Sequence, residues 1–292
     1  MEASVRTEPL ECGLGASVLE LQLGQPLGLV AASLRDALAR SRLLVLRGQS
    51  LSHQQLLEAA RVFGEPEVYL NGRHSVPGFP MITAISNIFV GGAPIGMYDG
   101  DNEEEWHSDL SWRRDIGRVT LLYSVVAPRL GGETRFADTT AAFAALPANM
   151  QRLLCQLEAV HSMEQLSRRQ TESFTSGRPE ATEALPSPEY LPPDVVQPLV
   201  LRHPKTGRLS LLLGDAVIKG IVGLSTSESA DLLRWLHAFA TQNEFLYSHK
   251  WEAGDVIIWD NTALMHTASP CDSARNHRLL YRTAIAESGV LP

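Results

Sequence analysis

Glu105-Trp106-His107-Ser108-Asp109-Leu110-Ser111-Trp112 sets an imidazole and a carboxylate two residues apart. In an extended segment side chains alternate between faces, so His107 and Asp109 would share one. Two ligands on one face of a strand can hold a metal ion, but they cannot close a site, and a third must come from elsewhere. The candidate is His266, at the end of Val256-Ile257-Ile258-Trp259-Asp260-Asn261-Thr262-Ala263-Leu264-Met265-His266. Two histidines and a carboxylate on one side of a metal are the ligand set of non-haem Fe(II) oxygenases, with positions left open for co-substrate and O2. The same donors also hold Zn2+ in hydrolases. The other histidines, among them His53, His161, His203, His237, His249 and His277, read as core or turn residues.

Around this stretch the pattern is one of many strands and few helices. Residues 1–25 hold one or two short strands, and Leu27 to Arg40 has helical spacing. Leu43 to Gly48 reads as a buried strand, and Ser52 caps a helix ending before Gly64. Residues 66–80, rich in Pro and Gly, read as a loop, and residues 82–87 as a strand. Further strands are expected at 119–126, 133–137, 245–251, 256–259 and 279–285, a hairpin at 199–213, and helices at 141–145, 147–157 and 225–240. The last helix opens with a capping box, Ser225 and Glu228. Without regular βα alternation, this favours a mostly β core with flanking helices. Residues 1–292 read as one domain, with a flexible lid or insertion at about 164–198, a stretch rich in Ser, Thr, Glu and Pro.

The 292 residues suffice for a substantial core. The net charge of -8 argues against nucleic acid as a partner. No apolar run is long enough to span a bilayer, and the first residues lack the basic and apolar regions of a signal peptide. Three scattered cysteines, Cys12, Cys155 and Cys271, fit a reducing cytoplasm. The acidic residues Asp99, Asp101, Glu103, Glu104 and Glu105 form either a solvated loop or a negative rim for a cationic substrate group.

Arg278 lies twelve residues after His266, and Arg282 four further on. A guanidinium grips a carboxylate through two parallel hydrogen bonds, and the apolar neighbours Leu279, Leu280, Ala284 and Ile285 suggest burial of both arginines.

These residues and the motifs around them resemble the taurine dioxygenase / 2,4-dichlorophenoxyacetate dioxygenase (TauD/TfdA) family of Fe(II)- and 2-oxoglutarate-dependent oxygenases. The resemblance spans residues 10–286. It rests on Trp106-His107-Ser108-Asp109, Gly131-Gly132-Glu133-Thr134, His203-Pro204-Lys205-Thr206-Gly207-Arg208, Trp251-Glu252-Ala253-Gly254-Asp255, Trp259-Asp260-Asn261, His266 and the pair Arg278 and Arg282. It implies a double-stranded β-helix, a cupin-like jelly roll, with outer helices. It also implies that His107, Asp109 and His266 bind Fe(II), and that Thr134 and Arg278 hold the distal carboxylate of 2-oxoglutarate. Arg282 matches a family arginine facing a substrate anion, and His74 falls near a family substrate contact. With Asn71, Tyr98 and Trp112 these make up the candidate substrate contacts. The implied reaction consumes O2 and 2-oxoglutarate, releases succinate and CO2, and oxidises a small molecule, by hydroxylation in the first instance. The substrate class expected is amino-acid-like or carboxylate-bearing. Desaturation or tailoring of a secondary metabolite would use the same residues. A Zn-dependent hydrolase and a non-catalytic jelly-roll binding protein are the alternatives. Dimers or tetramers are common in the family.

Overall fold

Leu43–Leu46, Gly117–Val126, Val256–Asp260 and Leu279–Ala286 are largely apolar or β-branched along both alternating faces, and nearly every residue in them is buried. Strands of that kind need cover on both sides. A computed structural model, which describes residues 4–11, 13–68, 72, 74–98, 105–165 and 191–286, shows what covers them.

In chain order the strands are β1 (Arg6–Pro9), β2 (Ala16–Leu19), β3 (Leu43–Leu46), β4 (Ser75–Val76), β5 (Phe79–Ser86), β6 (Phe89–Val90), β7 (Ala93–Pro94), β8 (Met97–Tyr98), β9 (Gly117–Val126), β10 (Thr134–Asp138), β11 (Glu158–His161), β12 (Val195–Pro198), β13 (Val200–Arg202), β14 (Leu209–Leu211), β15 (Ile218–Ile221), β16 (Leu246–His249), β17 (Val256–Asp260), β18 (Leu264–Ala268) and β19 (Leu279–Ala286). The helices are α1 (Ala31–Ser41), α2 (His53–Arg61), α3 (Thr139–Ala145), α4 (Ala148–Leu154) and α5 (Thr226–Ala240). Among the described residues the protein is therefore mostly β.

The largest sheet runs β1-β2-β3-β17-β9-β19-β5-β4, with β8 beside β5. Its two faces sort by residue parity. Leu44, Leu46, Val256, Ile258, Val119, Leu121 and Tyr123 pack against Leu34, Leu38, Leu56 and Ala60 of α1 and α2. Leu43, Val45, Ile257, Trp259, Leu122 and Leu280 point the other way, onto Phe136, Leu264 and Trp251. Phe136 and Leu264 belong to a second sheet, β16-β10-β18, so the space between the two sheets is an apolar core. A third cluster joins α3, β11, β14, β15 and α5.

Several boundaries differ from those the sequence suggests. Helix α1 starts at Ala31 rather than Leu27: residues 28–30 form a turn in which Leu29 lies exposed, and the N-cap, Val30, makes no side-chain capping bond. The loop expected at 66–80 already contains β4 and the first residues of β5, which pair as a hairpin. The stretch 164–198 ends in strand β12, paired with β11, while 166–190 lie outside the described residues. The His107–Asp109 segment is not a strand: only His107 makes a β-bridge, and the chain turns at Asp109.

Candidate active site

His107 and His266 face each other across that bridge. The His107 N–H donates to the His266 carbonyl (3.0 Å), and the His266 N–H donates back to His107 (2.8 Å). Directly opposed residues of an antiparallel pair project to one side. The two imidazoles accordingly lie with ring centroids 4.2 Å apart. Strand β18 is fixed in turn by β10, whose Phe136 sits opposite His266.

Asp109 reaches the same side by a different route. Leu110 reverses the chain with a φ of 57°, and the Asp109 N–H donates to Asn261 Oδ1 (3.2 Å). One carboxylate oxygen, Oδ1, comes 4.0 Å from His107 Nε2 and 3.2 Å from an Arg282 nitrogen. The other, Oδ2, accepts a 2.7 Å hydrogen bond from Thr120. One ligand atom from each of His107, Asp109 and His266 lies within 4.8 Å of the others.

The electrostatics suit a divalent cation. Burial alone would raise the Asp109 carboxyl, but Arg282 foremost, with His266, His107 and Thr120, outweighs it and holds it down to about 2. Burial, reinforced by His107, pushes His266 down to about 3, so its ring is neutral at physiological pH. His107 Nδ1 lies 2.8 Å from the Glu105 carbonyl, an acceptor only, so Nδ1 is the donor there and Nε2 is the nitrogen available as a ligand. The ionised Asp109 carboxylate and the neutral His266 imidazole are in the protonation states a metal requires. A buried His266 Nδ1 has no hydrogen-bond partner.

Two further features adjoin this centre. Arg278 is almost wholly buried, and its guanidinium donates to the carbonyl of Gly132 (2.6 Å), two residues before Thr134. Its backbone is pinned by Asn87 and Ser86. The Thr134 hydroxyl accepts the indole N–H of Trp251 (3.0 Å). A cleft that shares Arg282 and Leu110 with the surroundings of Asp109 is lined by Val68, Met81, Leu110, Trp112 and Ala284, with Glu67, Arg113, Thr83 and Arg282.

The sequence matches the family described as taurine catabolism dioxygenase TauD, TfdA family over residues 6–284. The chain belongs to the TauD/TfdA family of α-ketoglutarate-dependent dioxygenases. It is 33% identical to an α-ketoglutarate-dependent 2,4-dichlorophenoxyacetate dioxygenase of Cupriavidus pinatubonensis, over 98% of this chain and 100% of that protein. It is 32% identical to an (S)-phenoxypropionate/α-ketoglutarate dioxygenase of Sphingobium herbicidovorans, over 95% and 93% of the two chains. The solved structure of AAD-2 in complex with Mn(II) and N-oxalylglycine superposes with a TM-score of 0.77 at 28% identity, covering 99% of each chain.

In this TauD/TfdA chain the structure brings His107, Asp109 and His266 together, and sets Arg278 beside the backbone that leads to Thr134. Arg282 and Trp112 both line the cleft. Arg282 also bonds Asp109, a contact its spacing from Arg278 did not suggest. His74 is half-buried in the turn before β4, where its carbonyl accepts the Ala84 N–H; it does not line the cleft. Tyr98 pairs through β8 with Ser86 of β5. Asn71, and the acidic residues from Asp99 to Glu104, lie outside the described residues. Thr120, Asn261, Glu67 and Arg113 escaped notice. Only Asn261 carried a signal, as the end of the Trp259-Asp260-Asn261 motif.

Proposed function

We propose that this dioxygenase oxidises a small carboxylate-bearing molecule with an apolar body, and that hydroxylation is the outcome. The observation that carries the substrate class is the cleft beside Asp109. Its walls are Val68, Met81, Leu110, Trp112 and Ala284, and Arg282 is the cation nearest the triad. An apolar lining with few polar anchors orients a ligand by one end. The relatives that act on phenoxyacetate- and phenoxypropionate-type acids fit that chemistry. An amino-acid-like substrate would need a free carboxylate for its ammonium group. Among the cleft's described residues the carboxylate is Glu67, which already pairs with Arg113, whereas the five N–H donors of Arg282 can serve a substrate carboxylate besides Asp109.

His107, Asp109 and His266 would hold Fe(II). Arg278, a buried cation, and the Thr134 hydroxyl would take the distal carboxylate of 2-oxoglutarate. Once bound, the metal and 2-oxoglutarate supply the O2 activation that amino-acid side chains cannot, with succinate and CO2 released. The chain's own residues do the rest. The bridge between His107 and His266 fixes both rings, Thr120 and Arg282 orient the carboxylate, and Leu110 and Trp112 shield the substrate side from water. The retained Asp109 leaves no ligand position for halide. The sheets β16-β10-β18 and β3-β17-β9-β19-β5 are read as the two walls of a jelly roll formed by one domain. A reducing cytoplasm suits the free Cys155, and self-association rests on family resemblance alone.

Anaerobic titration of the apo-protein with Fe(II) and 2-oxoglutarate tests this reading through the weak visible band of the chelate. The band is expected in the wild type and lost in His266→Ala and Arg278→Ala. Phenoxyacetate is expected to shift it and phenylalanine is not. Absence of the band from folded, metal-loaded protein would sink the cofactor assignment. A response to phenylalanine alone would sink the substrate class.

A further inference from the structure

Trp259-Asp260-Asn261 closes β17 and begins the turn into β18, yet the triad and the cleft give Asn261 no task. Its hydrogen bonds do. Asn261 Oδ1 receives the Trp259 indole N–H (2.8 Å) and the Asp109 backbone N–H (3.2 Å). Both partners can only donate, which settles which end of the amide is the oxygen. The amide nitrogen is thereby turned to Thr120 Oγ1 at 2.8 Å, where it must donate. With its oxygen accepting from Asn261, the Thr120 hydroxyl sends its single proton to Asp109 Oδ2 at 2.7 Å. All of these residues are buried, so water does not compete. The direction of every bond follows from the first one.

We propose that Asn261, acting through Thr120, is a positioning residue that decides which oxygen of Asp109 faces the metal. Oδ2 is held by the hydroxyl, so Oδ1, the oxygen 4.0 Å from His107 Nε2, is turned to the centre and offers the metal its second lone pair beside the bond it accepts from Arg282. The inference rests on the triad reading. It assigns a metal-orienting task to a turn residue and to a central-strand threonine (Thr120 of β9, directly opposite Trp259). Outer-shell partners of this kind typically change metal affinity ten- to a hundredfold.

The test counts free Mn(II) by its solution EPR signal during titration of the apo-protein, beside a melting curve of each variant. Thr120→Val keeps shape and removes the donor. Asn261→Asp presents an acceptor where Thr120 needs a donor, turning the hydroxyl away from Asp109. Each is expected to weaken Mn(II) binding at least tenfold, with Thr120→Ser restoring it to within about threefold of wild type. Because the residues act in series, the double variant should bind little worse than either single one. Wild-type Mn(II) affinity in Thr120→Val overturns the relay while leaving the triad intact. So does a loss of affinity that Thr120→Ser fails to restore. Undiminished binding in His266→Ala would instead overturn the triad, and the relay with it. If Asn261→Asp does not fold, the Thr120 pair decides alone.

Discussion

Gly117 opens β9 with no room for a side chain: a Cβ there would collide with the Asp109 carbonyl oxygen and crowd the Leu110 side chain. The backbone of the turn that carries Asp109 is thus seated directly on the first residue of a central strand. Gly117→Ala is expected to push Asp109 out of place, weakening Mn(II) binding more than tenfold and lowering the melting temperature. Wild-type Mn(II) affinity in that variant would show that the turn adapts. At this scale the sequence was legible where chemistry is written in residue types. The His-x-Asp pair, His266 and the two arginines declare themselves by donor set and spacing. The turn that aims Asp109 did not, because Leu110 takes its left-handed φ of 57° without a glycine to announce it. A non-glycine residue there costs roughly 1–2 kcal/mol, and the bonds around Asp109 hold it in place.

Strand β11 illustrates the element scale. Its last residue, His161, is fully buried between β12 and β15, and neither ring nitrogen has a hydrogen-bond partner. Burial pushes its pKa from 6.5 down to about 4. Above pH 6.5 the ring is neutral whether the chain is folded or not, and it contributes nothing to pH dependence. Between pH 6.5 and 4 the unfolded chain takes up a proton that the folded one refuses, so stability falls with pH, by about 3 kcal/mol in all. His161→Leu is expected to match or exceed wild-type stability at pH 7, and to lose distinctly less between pH 7 and pH 4.5 in urea unfolding. Parallel losses in the two proteins would refute this account. Elements such as β9 and β17 were readable because both of their faces are apolar. The four-residue strands β11 and β12 were not, since four residues carry too little alternation to stand out, and β12 follows a run of prolines. The start of α1 was missed for a related reason: Val30 offers no capping side chain to mark it.

At the scale of the whole molecule, the site lies where two sheets meet over one apolar layer. Phe136 of the smaller sheet touches both Trp259 of the larger and His266 of the triad. The sequence conveyed the mostly β composition and the residues of the centre, but not the strand order, which depends on pairings between distant segments. That order, β3-β17-β9-β19-β5, bears on how the chain is made. Strands β3, β5 and β9 precede β17 and β19 in the chain and have no sheet neighbour among one another; only β17 and β19 join them into one sheet. Contacts of such long sequence separation form slowly and leave strand edges unpaired in the meantime. A fragment ending at residue 250 is expected to be digested at protease levels the whole protein survives, and a resistant core in that fragment would contradict the reasoning. Until β17, β18 and β19 have been made, a growing chain therefore has neither its complete larger sheet nor the last of the three residues that meet at the centre.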